Sequence, residues 1–435
     1  MSVTHRSLSV APEGSSFGSL NSTTGLPSTS GLTFVSIPCE RDPIVIYGEP
    51  IASERNDARD GSYGLPPEPD TVFSGGSRVR RRTGQVALRL DLTTIGSTAN
   101  NYDTNYLGYL LGAGFSTAKH TMTDDTPSVV ASNNKFTPTD TNTDYAVGAL
   151  LGCNIAGRAE YTAVTDNDES GDIAISPALS NLQTSTTLRA LQTWYPASRS
   201  LTGSKVDSVA FQVEGVDFKT ICFGCVLESI SISLDNGRVM ADLTYQSACI
   251  QDDHSNAVSP VEPTYNAGSP PFFRGSYVVV SSDSPTSLTN ASSTGDKLGR
   301  TALDCEDFTL TITNTLTPLG HSNSILAMSN MEISDVDVEL TLTLSTPSTT
   351  LNSDYFNRKI RQVLVGTGPV DDGKGCAFML PAAYLVNDPS QYDVSGNDIV
   401  RQTLTYKQSR FGGDVLADDQ VATAGNSPVR IGLGV

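Results

Sequence analysis

The sequence predicts a mainly β protein made of two tandem units, each a set of strands with one short flanking helix. Three observations predict it. The 435 residues are 38% hydrophobic but only 17% charged, with 37 Gly and 23 Pro, and Thr, Val and Ile are abundant, a composition of many short strands joined by turns. Apolar and polar residues alternate with period two at several places. An internal repeat brings the same strand and helix signals back in the same order.

Residues 1–31 are rich in Ser, Gly and Thr, with single scattered apolar residues. They read as a flexible N-terminal arm that orders against a neighbour. The first unit spans 32–250 and opens on Cys39-Glu40-Arg41-Asp42-Pro43-Ile44-Val45-Ile46. Val86, Leu88, Leu90 and Leu92 then alternate with Arg89 and Asp91. Asp103 to Leu111 reads as a short helix with a carboxylate near its start, where it caps free N–H groups. Residues 116–205 read as a loop-rich insertion on an outer surface, with Trp194 on a helix that ends before Pro196. The unit closes on CVLESISISLDNGRVMADLTYQSA, two alternating strands around Asp235-Asn236-Gly237, a hairpin turn signal. Ile230, Ile232 and Leu234 face the packing side, and Ser229, Ser231 and Ser233 the other.

Residues 251–300 form a turn-rich linker with one strand at Ser276–Val280. The second unit spans 301–410 and opens on Cys305-Glu306-Asp307-Phe308-Thr309-Leu310-Thr311-Ile312. Val338, Leu340, Leu342 and Leu344 alternate with Glu339, Thr341 and Thr343, at an offset of 338 − 86 = 252 from the first unit. A helix is predicted over Asp354 to Leu364, and Leu404-Thr405-Tyr406-Lys407 echoes Leu243-Thr244-Tyr245-Gln246. Residues 411–435 read as a Gly-rich C-terminal tail.

A formal net charge of −19 argues against a sequence-reading DNA-binding protein, which needs a basic face. It fits a soluble protein, and equally a wall past which a polyanion slides without sticking. The N-terminus has no apolar stretch of signal-peptide length, and no run approaches a membrane span, so the sequence predicts a chain made in a cytosol without membrane attachment. Seven Cys fit packed, reduced thiols.

The residues offer little catalytic chemistry. His5, His120, His254 and His321 lie in polar contexts with no nucleophile or metal-ligand spacing beside them. Cys222-Phe223-Gly224-Cys225 lacks the second ligand pair that zinc needs and runs into a strand, so it reads as packing. Asp166 to Asp172 resembles a calcium loop but lacks its closing Glu, and reads as solvated. Arg78, Arg80, Arg81 and Arg82 suit a phosphate site or pairing with a neighbouring chain's acids. Gly366-Thr367-Gly368 follows a helix signal and is not a phosphate loop. The sequence predicts no enzyme, no catalytic or metal site and no cofactor.

The hairpin GCVLESISISLDNGRVMADLTYQSA resembles the Gly-Cys-x-hydrophobic-x-Ser-Leu-x-Leu hairpin of the tail tube (major tail) proteins of long-tailed, non-contractile bacteriophages. The segments from Cys305 to Leu316 and Ile333 to Leu344 resemble the same family, as do Met379-Leu380-Pro381-Ala382-Ala383-Tyr384-Leu385 and Gly396-Asn397-Asp398-Ile399-Val400. The resemblance covers Cys39 to Gln408, with a poor match in the insertion. It implies two tandem tail-tube-like β-sandwich or half-barrel domains whose strands join between subunits. It further implies a structural virion protein, assembled in the host cytoplasm, whose stacked rings form the tube through which DNA is ejected. A duplicated chain implies trimeric, pseudo-hexameric rings, with hexamers as the alternative, and tape-measure, tail-terminator and distal tail proteins as partners. Arg89, Asp91, Asp337 and Glu339 are the candidates for the lumen or an interface. The other readings are a virion surface or receptor-binding β protein and a secreted polysaccharide-acting enzyme.

Overall fold

The turn at Asn236-Gly237 shows how this chain makes strands. Both residues take positive φ, 52° and 80°, the pair that a type I′ hairpin needs because its twist matches that of the flanking strands. Asp235 lies opposite Arg238 across it. The computed structural model describes residues 7–14, 17–20, 27–39, 44–52, 79–95, 102–118, 124–140, 145–167, 171–196, 207–215, 218–252, 277–281, 300–320, 326, 328–348, 351–370, 374–390, 392–395, 399–408 and 427–434. The chain is mainly β, with antiparallel pairing throughout the described strands.

The chain begins with β1 (Ser7–Pro12), β2 (Val35–Ile37), β3 (Ile44–Ala52), β4 (Val79–Asp91) and helix α1 (Tyr106–Gly112). A middle block follows: β5 (Phe115–Ala118), β6 (Asp124–Asp125), β7 (Pro127–Ser132), β8 (Lys135–Pro138), β9 (Leu150–Ile155), β10 (Arg158–Asn167), β11 (Ile173–Ser176) and β12 (Leu188–Pro196). Next come β13 (Val209–Gly215), β14 (Phe218–Asp235), β15 (Arg238–Ser247) and β16 (Cys249–Asp252). The rest is β17 (Tyr277–Ser281), β18 (Arg300–Ala302), β19 (Cys305–Gly320), β20 (Met328–Leu344), α2 (Asn352–Phe356), β21 (Arg361–Thr367), β22 (Cys376–Leu385), β23 (Tyr392–Ser395), β24 (Ile399–Gln408) and β25 (Arg430–Gly434).

One set of pairings occurs twice. β1 pairs with β2 and β13, β13 with β14, β14 with β15, β15 with β4, and β4 with β3. Likewise β17 pairs with β18 and β21, β21 with β22, β22 with β24, β24 with β20, and β20 with β19. Chain order matches too, with α1 after β4 and α2 after β20. The two sets meet edge to edge: Ser229 to Ser233 of β14 lie opposite Thr313 to Thr309 of β19.

The alternation read from the sequence puts its apolar residues inside. Leu88 lies opposite Leu243, Leu243 opposite Ile230, Ile230 opposite Ile312, and Ile312 opposite Val338. All five are buried, in one apolar cluster that runs through both sets of strands. Helix α1 packs into it with Tyr106, Leu107, Leu110 and Leu111. Its cap is Asn105, whose Oδ1 accepts from the Leu107 N–H at 2.9 Å; Asp103 lies one turn earlier, in a short 3-10 helix at Tyr102–Thr104. The middle block has a second cluster of its own, built on Phe136, Tyr145, Leu151, Val164, Ile175 and Leu188.

Several segments differ from the sequence expectation. Within the expected N-terminal arm, Ser7–Pro12 is a buried strand held between β2 and β13, with Leu8 and Val10 in the main cluster. Residues 116–205 hold strands β5 to β12 where loops were expected. Trp194 is fully buried on strand β12, which pairs with β5, β6, β9 and β25, so no helix forms there. The predicted helix from Asp354 stops at Phe356, because Arg358 takes φ 46°, and Arg361–Thr367 becomes a buried strand. In the expected C-terminal tail, Arg430–Gly434 is a buried strand between β12 and β22. The linker strand lies at Tyr277–Ser281, one residue later than predicted. All four His and Arg78 lie outside the described residues.

Candidate functional site

The feature that links both sets of strands is the face of the sheet opposite the apolar cluster. Side chains alternate along a strand and directly opposed residues share a face, so the register fixes this face row by row. One row reads Arg89 on β4, Asp242 on β15, Ser231 on β14, Thr311 on β19, Glu339 on β20 and Lys407 on β24. A neighbouring row reads Thr244, Ser229, Thr313 and Asp337. Another holds Ser233, Thr309, Thr341 and Thr405. The face is a field of hydroxyls with charges at intervals, interrupted at Met240, which lies fully buried between Asp91 and Ser233.

The four cations described on this face each sit on a carboxylate. Arg89 Nη2 lies 2.8 Å from Asp235 Oδ2, and its Nε 3.8 Å from Asp242. Arg238 Nη1 lies 3.1 Å from Asp91. In the second set, Lys407 Nζ lies 3.0 Å from Asp337 and Arg401 Nε 2.7 Å from Glu306. The hydrogen bond and charge of Asp337 raise the Lys407 ammonium above its ordinary value, which keeps it charged and occupied. Gln85 Nε2 donates to Glu228 Oε2 at 2.8 Å, and the hydroxyls of Thr341 and Thr405 lie 3.4 Å apart. A phosphate approaching this face meets neutral hydroxyls, cations already neutralised, and exposed Asp337 and Glu339. Such a surface offers a polyanion little attraction.

The four residues singled out from the sequence therefore lie on one face of one sheet. Arg89 and Asp91 are half-buried and paired within the first set, whereas Asp337 and Glu339 are exposed in the second. Sequence reasoning missed their partners Asp235, Asp242, Arg238 and Lys407. The hairpin register was within reach: once the Asn236-Gly237 turn is placed, counting back from Asp235 opposite Arg238 puts Asp242 opposite Ser231. That Asp235, Asp242 and Arg238 meet Arg89 and Asp91 needed the β4–β15 pairing. Lys407 needed the β20–β24 pairing, which no local signal gives.

The remaining candidates are structural. Cys222 and Cys225 are fully buried in β14, and Gly224, at φ 61° between them, lies where the register against β13 shifts, a bulge. Burial pushes the Cys225 thiol well above its ordinary value, so it stays protonated and unreactive. Cys39 and Cys305, which open the two sequence repeats, share one state: burial pushes both thiols up to about 12. Asp172 accepts from Thr137 Oγ1 at 2.8 Å and pairs with Lys135 at 3.0 Å; residues 168–170 of the calcium-like stretch lie outside the described residues. Gly368 follows strand β21, and its carbonyl accepts from Tyr161 Oη at 2.8 Å. Among the described residues no group of three or more His, Cys, Asp or Glu is placed to hold a metal, and no helix is long and apolar enough to cross a membrane. No protein-family model matches the chain, and no curated protein matches it.

Proposed function

We propose that this protein is a structural subunit of a phage tail tube, with the polar face of its sheet lining the channel through which DNA passes. The observation that carries the reading is the edge-to-edge union of two like-paired sets of strands into one sheet, with a polar face running unbroken across the joint. A wall needs that continuity and a catalyst does not. The charge pattern supports it, because each described cation of the face is held by a carboxylate. At the described side chains of the face, DNA then finds no row of free positive charge to grip; those of Arg80, Arg81 and Arg82 on β4 lie outside the described residues.

In this reading the duplicated chain forms trimeric rings of six like units, which stack around a tape-measure protein. Tail-terminator and distal tail proteins close the two ends, and assembly takes place in the host cytoplasm. The subunit needs no cofactor and turns over no substrate. Negative-stain microscopy of the purified chain, with mass photometry across a range of salt concentrations, tests it. Rings or tubes with a central channel are the expected result. A chain that stays monomeric at every salt and protein concentration overturns the reading.

A further inference from the structure

The joint inside the chain serves as a template for a joint between chains. Within the chain, β14 of the first set lies against β19 of the second. The place of β14 in the second set is filled by β22 and then β23: β23 lies on β24 as the end of β14 lies on β15. Ser395 opposite Ile399 closes that hairpin as Asp235 opposite Arg238 closes the other. The place of β19 in the first set is filled by β3, which lies on β4 as β19 lies on β20. Each set therefore ends in the same two kinds of edge. One of each kind is used up in the β14–β19 joint. Among the described residues, β3 pairs only with β4, and β23 only with β24.

We infer that β23 of one chain pairs antiparallel with β3 of a second copy of this chain, repeating between chains the β14–β19 joint made within one. The inference rests on the tube-subunit reading and adds to it the two edges and their register. Open edges attract other strands, and here the complementary edge is on the same molecule type. The two edges differ, so the contact is heterologous: it runs head to tail and closes a ring when the rotation permits.

The register follows from the template. Aligning the two hairpin ends places Tyr392 where Ile232 stands, and Ile232 lies opposite Leu310. Leu310 follows Cys305 at the same distance as Ile44 follows Cys39. Tyr392 of one chain therefore lies opposite Ile44 of the next, to within one residue. β23 is shorter than the stretch of β14 that pairs with β19, so the joint between chains has fewer backbone bonds than the joint within.

The test co-expresses two full-length chains with tags of different size, one carrying Ile44→Cys and the other Tyr392→Cys, followed by mild oxidation of the assembled fraction. A covalent heterodimer, absent when either variant is expressed with the wild type, is the expected result. In the Ile44→Cys/Tyr392→Cys double variant, the same bond links chains around the whole ring. Rings or tubes that form normally but yield no heterodimer, also when Val45→Cys or Ile46→Cys replaces Ile44→Cys, overturn the edge assignment and leave the tube reading standing. Failure of the wild-type chain to form any ring or tube overturns both.

Discussion

The two sets of strands pair alike, yet their outer faces are sealed by different parts of the molecule. On the first set, Ala210, Ile221, Phe223 and Val226 are covered by the far end of the β19–β20 hairpin, through Met328, Met331 and Ile333, and by Phe17, Leu20 and Phe34 from the N-terminal region. On the second set, Tyr277, Val279, Leu364, Ala377 and Met379 are covered by the middle block, through Leu150, Tyr161, Ala163 and Leu191. A duplicated sheet leaves two equivalent apolar faces, and each must be buried. The first is closed by an arm of the other set, so the two sets depend on each other. The second is closed by the inserted block, which gives the block a structural task whatever else it contacts.

The largest effect should come from the second seal. Tyr161 lies so close to β21 and β22 that a Cβ on Gly366 would stand 2.1 Å from its Cδ2, and one on Gly375 2.4 Å from its hydroxyl. Its hydroxyl donates to the carbonyls of Thr367 and Gly368 at 2.9 and 2.8 Å. Tyr161→Ala opens a cavity and strips both carbonyls of that donor, and should cost about 3–5 kcal/mol in denaturant unfolding. Tyr161→Phe removes only the hydroxyl and should cost about 1–2 kcal/mol. Equal, small losses for both would mean that the block is not the seal described.

Tyr161 also marks the limit of what the sequence discloses. The alternation of Val86 to Leu92 and Val338 to Leu344 and the Asn236-Gly237 turn are period-two and local signals, and they placed strands, faces and one register correctly. Strand β12 is invisible to the same reading. Leu188, Leu191 and Trp194 recur at a helical spacing, and a strand buried on both faces shows no alternation to contradict it. Strand β25 hides for another reason. Gly432 and Gly434 look like tail composition, but a Cβ on Gly432 would stand 2.8 Å from Leu150 Cδ1, so glycine is what the close approach of neighbouring residues demands. Averaged over residues 1–31, the alternating Leu8 and Val10 are diluted in the same way. The polar face follows the same division: alternation puts Arg89 and Asp91 on it, and only long-range pairing says that Glu339 lies in Arg89's row.

Breaking the first seal should cost less and act more locally. Met331→Ala removes a buried side chain from the arm over Phe223 and should destabilise by about 2–3 kcal/mol. Hydrogen exchange should quicken in Leu316 to Gly320 and Met328 to Ile333 and stay slow around Leu310 and Leu340, where both faces of the joint remain intact. Uniform quickening through the whole sheet would instead show that the arm and the joint open together.

The first seal also carries a pH dependence, set by a buried carboxyl. Glu13 is buried, and its carboxylate accepts from Gly18 N–H at 2.9 Å, Gly224 N–H at 2.9 Å and Ser208 Oγ at 2.5 Å. These bonds tie the N-terminal segment bearing Phe17 to β14. Desolvation raises the carboxyl above its ordinary value in spite of those donors. The folded state then holds a proton that the unfolded state has released, between the ordinary carboxylate value and the raised one, so stability from this group rises as pH falls through that window. Glu13→Gln removes the titration. Measured against that variant, the wild type should gain stability as pH drops from neutral toward the ordinary carboxylate range. A difference independent of pH would remove Glu13 from the linkage, and the reverse slope would mean that its hydrogen bonds outweigh its burial.

The smallest effects belong to the polar face, where the two sets also differ. Arg89 is 15% exposed between two carboxylates, whereas Lys407 and Asp337 are 37% and 55% exposed. Partial burial screens the first pair less than the second. Lys407→Ala should therefore change stability by less than about 1 kcal/mol, and less still in high salt. Arg89→Ala should cost somewhat more, about 1–2 kcal/mol, because it also leaves Asp235 and Asp242 close together without the cation between them. The functional consequence runs the other way. If the face is a wall for DNA, the consequential substitution there is one that adds positive charge while leaving the four close ion pairs standing. Glu339→Lys puts an ammonium at an exposed position opposite Lys407, in the row that crosses both sets. It replaces the carboxylate whose charge supports Lys407, at a cost of less than about 1 kcal/mol, and should make assembled tubes retain double-stranded DNA at low salt where wild-type tubes do not. Equal retention by both would place this face outside the channel, whatever the oligomer.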